Sequence, residues 1–360
     1  MKAKVAVLKT SPERVLEDYR ELLHLVDYRS HLPKGTPIAL KINISWAKFY
    51  PACSTTPWQL EGVIRTLLDD GYPKESIYGC HNKTVVVSAK RGEVVNKHRS
   101  VTVDRYGLRN IHLYEGEEWI RYRPKGELLV LDRVFKDGIM IPKRLLGSSI
   151  IHLPTMKTHV FTTITGAMKN AFGGLLHEKR HWTHSVIHET LVDLLMIQKE
   201  IHAGILAVMD GTFSGDGPGP RAMRVHETDY ILASADQVGI DAIAAKMMGF
   251  DPLSIPFIRI AHERGLGSGD PREIEVVGED ITGVNFRFDG QSNTLASLGQ
   301  KLIYHGALKP FEKILLRSAI TPWSYLASWL YHDVYWYPFI GRRRVKKALR
   351  TRWGKLFSSY

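Results

Sequence analysis

The chain has 360 residues, of which 44% are hydrophobic and 24% are charged, as in an ordinary globular protein with a large core. With only Cys53 and Cys80, the composition excludes a disulfide framework and a thiolate metal cluster, and it fits a reducing cytoplasm. The N-terminal residues lack the apolar core of a signal peptide, and no apolar stretch reaches the roughly 18 residues that a spanning helix requires.

The net charge of +12 is concentrated at one end of the chain. Residues 341–360 contain eight Lys or Arg and no acidic residue, and subtracting these eight charges from +12 leaves +4 for the remainder. The high isoelectric point therefore describes this segment and not the body of the protein.

Strands and helices alternate along most of the chain. Strands are predicted over residues 5–8, 36–44, 76–80, 101–103, 111–113, 128–131, 138–141, 149–153, 204–209, 228–233 and 274–277. Helices are predicted over residues 15–26, 57–70, 90–97, 189–201, 238–248 and 256–264. This order predicts an α/β fold with a mostly parallel sheet built from βαβ units and helices on both faces. We expect an α/β body over residues 1–290, as one unit or two lobes, and a helical C-terminal extension over residues 291–360.

The clearest βαβ unit begins at the strand over residues 36–44. Thr56 is a good helix N-cap with Pro57 at the first helical position, and the helix leads to the next strand. Ligands of parallel sheets bind at the carboxyl ends of the strands. Lys41 and Asn43 lie at such an end and are therefore ligand-binding candidates, although Lys41 could also be an ordinary surface lysine.

Residues 152–188 carry the densest set of polar side chains. The stretch after Pro154 includes Lys157, His159, Thr165, Lys169, Asn170 and Gly173. Glycine lets backbone N–H groups approach a ligand, Thr and Asn donate hydrogen bonds, and Lys supplies charge, so the pattern predicts an anion-binding loop. A Thr-rich turn that caps a helix, with its lysines in water, is the alternative.

Four histidines follow that loop at spacings of four, three and four residues: His177, His181, His184 and His188. On an α-helix they would share one face, because residues three and four apart are neighbours. Such a row can ligate a divalent metal ion, move protons or bind an anion when charged, and His177, His181 and His184 are the metal-ligand candidates. A solvated polar face is the alternative, since charged residues share the segment.

Four aspartates mark the second half of the body. Asp210 stands where a buried strand meets its loop, a position from which a carboxylate can hold a cation or act as a general base. An Asx-turn is the alternative for Asp210 and the preferred interpretation of Asp216. Asp236 is predicted to cap the helix over 238–248. Asp241 lies inside that helix among apolar neighbours, where a lone carboxylate is costly, so it is a candidate for orienting a lysine or histidine of the loop.

Residues 323–339 contain eight aromatic residues, and the basic segment follows at once. Trp and Tyr favour the water–lipid boundary, while clustered Lys and Arg attract anionic head groups. Together they predict that residues 318–360 contact an anionic membrane surface, at the inner face of the cytoplasmic membrane. The alternative is a C-terminal helix packed on the core with a basic tail in solution.

The runs LPTMKTH, TGAMKNAFGG, MDGTFSGDGPGP and SADQVGIDAIAAKMMGFDP together resemble the DUF362 family of prokaryotic proteins, over about residues 36–280. The resemblance includes the Lys-x-Asn of Lys41 and Asn43 and the Thr-Thr-Pro that contains Thr56, which makes Thr56 a further ligand-binding candidate. Many relatives carry ferredoxin-like cysteine clusters, which this chain lacks, so no iron–sulfur cluster is expected. The resemblance implies no particular reaction.

The leading hypothesis is an enzyme that acts on a small carboxylate or phosphate. Lys157 and Lys169 would hold the anion with the threonines, His159 or a later histidine would move protons, and Asp210 or Asp241 would orient a base or a divalent cation. The first alternative is a non-catalytic binding or assembly protein at the membrane surface. The second is nucleic-acid binding by the basic tail, less favoured because no recognition motif accompanies the charge.

Overall fold

A mixed sheet forms the centre of the computed structural model, which describes residues 2–82, 87–290, 292–317 and 322–360. The strands of this described part are β1 (Ala3–Lys9), β2 (Ile38–Ile42), β3 (Ile77–His81), β4 (Arg109–His112), β5 (Trp119–Tyr122), β6 (Ile139–Pro142), β7 (Ser149–Leu153), β8 (Thr155–His159), β9 (Thr163–Ile164), β10 (Gly204–Asp216), β11 (Arg224–Ser234) and β12 (Ile274–Gly278).

The α-helices of the same described part lie mostly between these strands and after the last one. They are α1 (Val15–Leu25), α2 (Tyr28–His31), α3 (Pro57–Asp69), α4 (Ala89–Val95), α5 (Leu131–Val134), α6 (Gly166–Phe172), α7 (Ile187–Ile201), α8 (Gln237–Met248), α9 (Pro256–Glu263), α10 (Leu295–Tyr304), α11 (Glu312–Arg317), α12 (Pro322–Trp329), α13 (Arg342–Ala348) and α14 (Arg352–Ser359). None of the described helices combines the length and the apolar composition needed to cross a bilayer.

The main sheet has the strand order β12-β1-β11-β10-β7-β2-β3-β4, with β8 and β9 attached beside β10. Parallel pairing joins β10, β7, β2, β3 and β4 in series, and also β12 to β1. Strand β11 runs antiparallel to both of its neighbours, and β5 and β6 form a separate antiparallel pair. The predicted α/β class with a mostly parallel sheet is confirmed.

Helices cover both faces of the sheet because its strands alternate between two cores. Along β1, Val5 and Val7 pack into one core, while Ala6 and Leu8 pack into the other, as the two-residue period of a strand requires. Helices α6 to α9 contribute to the first core and helices α1 and α3 to the second. The predicted helices on both faces are therefore confirmed.

The βαβ unit predicted around Thr56 is formed by β2, α3 and β3. The Thr56 hydroxyl accepts a hydrogen bond from the backbone N–H of Gln59, the Gln59 side chain reciprocates, and Pro57 occupies the first turn. At the other predicted cap, the Asp236 carboxylate accepts from two backbone N–H groups at the start of α8, and Gly249 ends that helix in the left-handed conformation. Local capping residues thus set these boundaries.

Three local predictions are wrong. The β-branched run at 101–103 lies in a π-helical turn, Ser100–Arg105, which follows α4 and packs on α3. Residues 128–131 form no strand, because the Asp193 carboxylate accepts their backbone N–H groups at residues 129, 130 and 131. The stretch after Pro154, predicted as a loop, continues as β8, which pairs with β10.

The C-terminal segment packs against the second core. Trp353 is fully buried near Trp58, with 5.2 Å between ring centroids, and its indole N–H donates to the Asp229 carboxylate. Arg344 donates to the backbone oxygen of Met223. The basic residues therefore sit on helices attached to the body and do not form a free tail, while the boundary near residue 290 stays a prediction.

Candidate functional site

A cavity of about 270 Å³ lies at the carboxyl ends of β2 and β3 and is closed by β8 and α6. This is the edge at which a parallel sheet binds its ligands. The predicted site residues that line it are Lys41, Asn43, His159, Thr165, Lys169, Asn170, Gly173, His181 and His184. We call residues 154–174, which were predicted as an anion-binding loop and form β8, β9 and α6, the central loop. The structure therefore gathers residues of β2, of the central loop and of the histidine row around one space.

The charged side chains that line the cavity are cationic: Lys41, Lys169, Arg180 and Arg221. Among the described side chains, no aspartate or glutamate contributes to its wall. Burial lowers the pKa of Lys41 to about 8, and burial together with the charge of Lys157 lowers the pKa of Lys169 to about 7. Keeping these two ammonium groups charged in the wall is costly, so the arrangement favours an anionic ligand.

Lys41 is a cavity residue and not a surface lysine, since only 4% of it is exposed. Its ammonium donates to the backbone oxygen of Ile42 at 2.6 Å, and its own backbone oxygen accepts from the Asn170 amide at 2.8 Å. The side chain passes directly over Gly174, where an added Cβ would lie 2.7 Å from the lysine Cε. The paired glycines of the central loop therefore make room for this lysine.

Helix α6 is held by the carboxylate of Asp241. Its two oxygens accept hydrogen bonds from the backbone N–H groups of Ala167 and Met168, at 2.5 and 3.0 Å. Burial raises the pKa of Asp241 to about 7. Asp241 does not line the cavity, so it positions the helix that carries Lys169 and does not contact a ligand there.

Thr165 precedes this helix and contributes a buried hydroxyl to the cavity wall. Within the described part of the chain, its Oγ1 has no hydrogen-bond partner. A buried hydroxyl of this kind costs free energy until a partner is supplied. A ligand oxygen in the cavity is such a partner.

Lys157 lies behind the cavity wall. Its ammonium donates to the backbone oxygen of Cys53 at 2.5 Å and to the Ser45 hydroxyl at 3.2 Å. Ser45 lines the cavity and donates in turn to the Asn43 side-chain oxygen at 3.1 Å. Lys157 therefore supports the loop after β2 and adds positive charge to the site from behind.

Asp210 and Thr56 belong to a different buried network. The Asp210 carboxylate accepts hydrogen bonds from the side chains of Tyr19, Thr56, Trp58 and Thr212. Burial raises the pKa of Asp210, although these hydrogen bonds oppose the shift. Neither Asp210 nor Thr56 lines the cavity, so the structure does not bring them to the lysines.

The predicted single α-helical face of histidines is wrong. His177 caps a 3₁₀ helix, Glu178–Val186, by accepting from the Lys179 backbone N–H, and α7 begins only at Ile187. Because a 3₁₀ helix has three residues per turn, spacings of four do not keep the side chains on one face. His181 and His184 still reach the cavity, whereas His177 does not line it.

His159 is the histidine of the central loop that lines the cavity. Its Nδ1 accepts from the backbone N–H of Phe161 at 3.2 Å. Burial and the nearby Lys169 hold its pKa well below the usual range, so the imidazole is neutral at pH 7. Because Nδ1 accepts this hydrogen bond, the neutral ring carries its proton on Nε2, which can donate a hydrogen bond to a bound anion. The nearby Lys169, whose pKa is about 7, can exchange a proton with such a molecule.

Among the titratable residues that line the cavity, sequence reasoning missed three: His81, Arg180 and Arg221. His81 ends β3 beside Lys41 of β2, so the strand-end argument applied to Lys41 would have found it. Arg221 directly follows the GDGPGP run, and its Nε donates to the Ser45 backbone oxygen. No local pattern places Arg221 at the cavity, because β10 and β11 lie far along the chain.

Comparison with known proteins gives one partial relative and one family. A thylakoid-associated protein from Synechocystis sp. is 27% identical over 120 residues, which cover 32% of this chain and 37% of that protein. The match thus spans little more than a third of that relative's length. The family model described as Domain of unknown function (DUF362) matches residues 38–246, which include every residue that lines the cavity. The match covers more than half of the chain and agrees with the resemblance of its motifs, and the protein accordingly belongs to the DUF362 family.

Proposed function

We propose that the protein is an enzyme that binds a small carboxylate or phosphate in this cavity and acts on it by proton transfer. The observation that carries the proposal is the cavity wall, in which the charged groups among the described side chains are Lys41, Lys169, Arg180 and Arg221. An anion offsets the cost of keeping the Lys41 and Lys169 ammonium groups charged there and supplies an acceptor for the Thr165 hydroxyl. The same cavity would account for the clustering of the central loop residues.

Lys169 is the proposed proton-transfer group. A lysine whose pKa is about 7 is present in both protonation states near neutral pH, and so it can donate or accept a proton during a reaction. His159 is neutral and its Nδ1 already accepts the Phe161 N–H, so its Nε2 carries the proton and would donate a hydrogen bond to the anion. A divalent cation is a candidate cofactor for this proton transfer.

Anion binding is tested by isothermal titration of the full chain with sulfate, phosphate and acetate. Lys169→Met is expected to weaken binding by about 10- to 100-fold, because it removes a buried charge that faces the ligand. The matched control is Lys199→Met, at an exposed lysine of α7 outside the cavity, which should leave the affinity unchanged. Equal affinities in the two variants would contradict the proposal.

Catalysis is tested separately from binding. The protein is incubated with an extract of small metabolites, and mass spectrometry follows the anions that are consumed. Wild type is expected to convert at least one carboxylate or phosphate, and Lys169→Arg, which keeps the charge but not the pKa, should not. Binding without any conversion would support the non-catalytic alternative.

A second candidate function is attachment to a membrane surface. Of the fourteen large exposed hydrophobic side chains in the described chain, twelve lie between residues 298 and 339. They include Trp323, Trp329 and Phe339, and the exposed Arg342 and Arg343 follow directly. Apolar aromatic side chains beside a basic segment suit the surface of an anionic bilayer. The thylakoid association in the name of the partial relative supports the same proposal.

Vesicle sedimentation tests this attachment. The double variant Trp329→Ser with Phe339→Ser should lose binding to vesicles that contain anionic lipid, whereas Val94→Ser, an equally exposed residue on α4, should not. Substitutions are preferable to deleting residues 318–360, because that deletion would remove the buried Trp353 from the core. Unchanged binding in the double variant would contradict the proposal.

Nucleic-acid binding by the basic segment has less support. Arg344 donates to the Met223 backbone oxygen and Arg352 pairs with the Asp229 carboxylate, so these two side chains are used within the protein.

A further inference from the structure

Two strands and one helix bring a second group of chemically active side chains together beside the cavity. His81 ends β3 and His112 ends β4, and the parallel register of these strands places the two residues directly opposite each other. Helix α4 supplies Glu93 between them. Its Oε2 lies 3.3 Å from Nε2 of His81 and 3.3 Å from Nε2 of His112. Within the described residues, this trio forms a group whose donor atoms all lie within 4.8 Å of one another.

Two of the three separations match those between neighbouring ligands of a tetrahedral metal ion. Ligand bonds of about 2.0–2.1 Å, the range for zinc with nitrogen or carboxylate oxygen, place two tetrahedral ligands about 3.3–3.4 Å apart. The observed 3.3 Å between each imidazole nitrogen and Glu93 Oε2 falls at this value. Each histidine therefore already stands at the ligand–ligand distance from the carboxylate.

The imidazole nitrogens are not otherwise used. His81 Nε2 and His112 Nε2 are both buried, and neither makes a hydrogen bond within the described chain. Both nitrogens lie near the Glu93 carboxylate, but they are not aligned with its oxygen as hydrogen-bond donors. A cation bound between the two nitrogens and the carboxylate would give each of these buried polar atoms a partner.

Two further side chains surround the trio and contact its members. The Asn110 amide donates to Glu93 Oε2 at 3.0 Å and fixes the carboxylate. Glu115 Oε2 lies 4.0 Å from Nδ1 of His112, the nitrogen on the opposite side of the ring. Metal-bound histidines and carboxylates are usually oriented by partners of this kind.

We infer that His81, Glu93 and His112 form a binding site for a divalent transition-metal ion of the zinc or ferrous class. Two imidazoles and one carboxylate are a ligand set of catalytic zinc sites and of non-haem iron sites, and both leave positions open for other molecules. His81 also lines the anion cavity, so the ion would lie at the cavity edge and add to its positive charge. The inference does not depend on the proposed anion function, since none of the three metal ligands is one of the proposed anion-binding or proton-transfer groups.

The test is metal binding by the full-length protein after removal of metals with a chelator. Titration with Zn²⁺ should show one tight equivalent, and Co²⁺ in the same site should give the intense visible absorption of a four- or five-coordinate ion. His112→Gln and Glu93→Gln are each expected to weaken binding by more than about 100-fold. The control is His184→Gln, a cavity histidine outside the trio, which should leave the affinity unchanged.

The outcomes separate this site from its alternatives. A folded wild-type protein that binds no Zn²⁺ would overturn the inference and leave the trio as a buried ion pair. Tight binding that survives His112→Gln but is lost in His181→Gln would assign the ion to the histidine row instead. His112 is partly exposed, so its variant should fold, and circular dichroism checks this. Sulfate titration of Lys169→Met reports on the anion function independently.

Discussion

The carboxylate of Asp241 lies directly against Gly166, where an added Cβ would approach its Cγ and both oxygens to 2.4 Å. Gly166 also has a φ of +66°, a conformation that side-chain-bearing residues adopt at a cost. The first residue of α6 is therefore a glycine for two reasons. The contact joins two sequence motifs, TGAMKN and SADQVGID, into one structural unit behind the cavity.

Gly166→Ala should destabilise the protein by about 2–5 kcal/mol, because left-handed strain and a steric clash with a buried carboxylate add together. Denaturant unfolding measures the change. Gly147→Ala is the matched control, since Gly147 has a φ of +72° but open space around the added carbon. It should cost only the strain, about 1–2 kcal/mol. Equal losses in the two variants would show that the Asp241 contact contributes nothing.

Thr165→Val should weaken anion binding by about 5- to 10-fold without destabilising the free protein. The substitution removes a buried hydroxyl that has no partner in the described chain, so folding loses no hydrogen bond. Sulfate titration and thermal unfolding measure the two effects. In the control Thr190→Val, the hydroxyl that is lost donates to the Val186 backbone oxygen, so stability should fall by about 1 kcal/mol with unchanged affinity. A destabilised Thr165→Val that binds normally would contradict the assignment.

Sulfate affinity should be nearly constant below pH 7 and fall by up to about tenfold per pH unit above it. Burial and the charge of Lys157 lower the pKa of Lys169 to about 7, while a bound anion favours its charged form. Above pH 7 the free protein has lost this proton, so binding must take it up again. The nearby His159, His184 and His188 are held neutral, because burial keeps their pKa values far below this range.

The control for this pH dependence is Lys169→Arg, whose guanidinium stays protonated. Its affinity should not change between pH 6 and 8, and a decline above about pH 8 would then come from Lys41 and Lys157. Wild-type affinity that is flat from pH 6 to 9, or that rises, would show that Lys169 does not contact the anion. Sulfate is the suitable probe because its own charge is constant over this range.

Trp353→Ala should destabilise the protein by about 3–5 kcal/mol, because it empties a fully buried site and breaks the hydrogen bond to Asp229. Phe339→Ala, at a side chain that is 64% exposed, should change stability by less than about 0.5 kcal/mol. Both are measured by chemical unfolding. A small effect at Trp353 would mean that the basic C-terminal helices fold apart from the body.

Local signals allowed much of the fold to be predicted. Thr56, Pro57, Asp236 and Gly249 mark helix ends through contacts within a few residues, so their roles can be identified in the sequence. The predictions fail where the structure of a segment depends on residues far away in the sequence. The apolar run at 128–131 resembles a strand, yet its backbone N–H groups bond to a carboxylate more than 60 residues away.

The candidate site was predictable where its residues share one segment or end a parallel strand. Lys169, Asn170 and Thr165 stand close in the sequence and line the cavity together, and Lys41 and Asn43 line it from the end of β2. The approach of His81 to His112 depends on which strands become neighbours and in which register. No periodicity within either segment carries that information, and the trio with Glu93 therefore emerges only from the assembled sheet.

Strand β1 lies between β12 and β11, with Leu8 opposite Ile231 and Val5 opposite Val276. It precedes the other strands of the sheet in the sequence, and both of its partners are synthesised more than 200 residues later. Strands β2 and β3 can pair as soon as the single helix between them is made. The nascent chain must therefore keep an apolar strand unpaired while more than 200 further residues are made, and closure of its sheet is a late, long-range folding event.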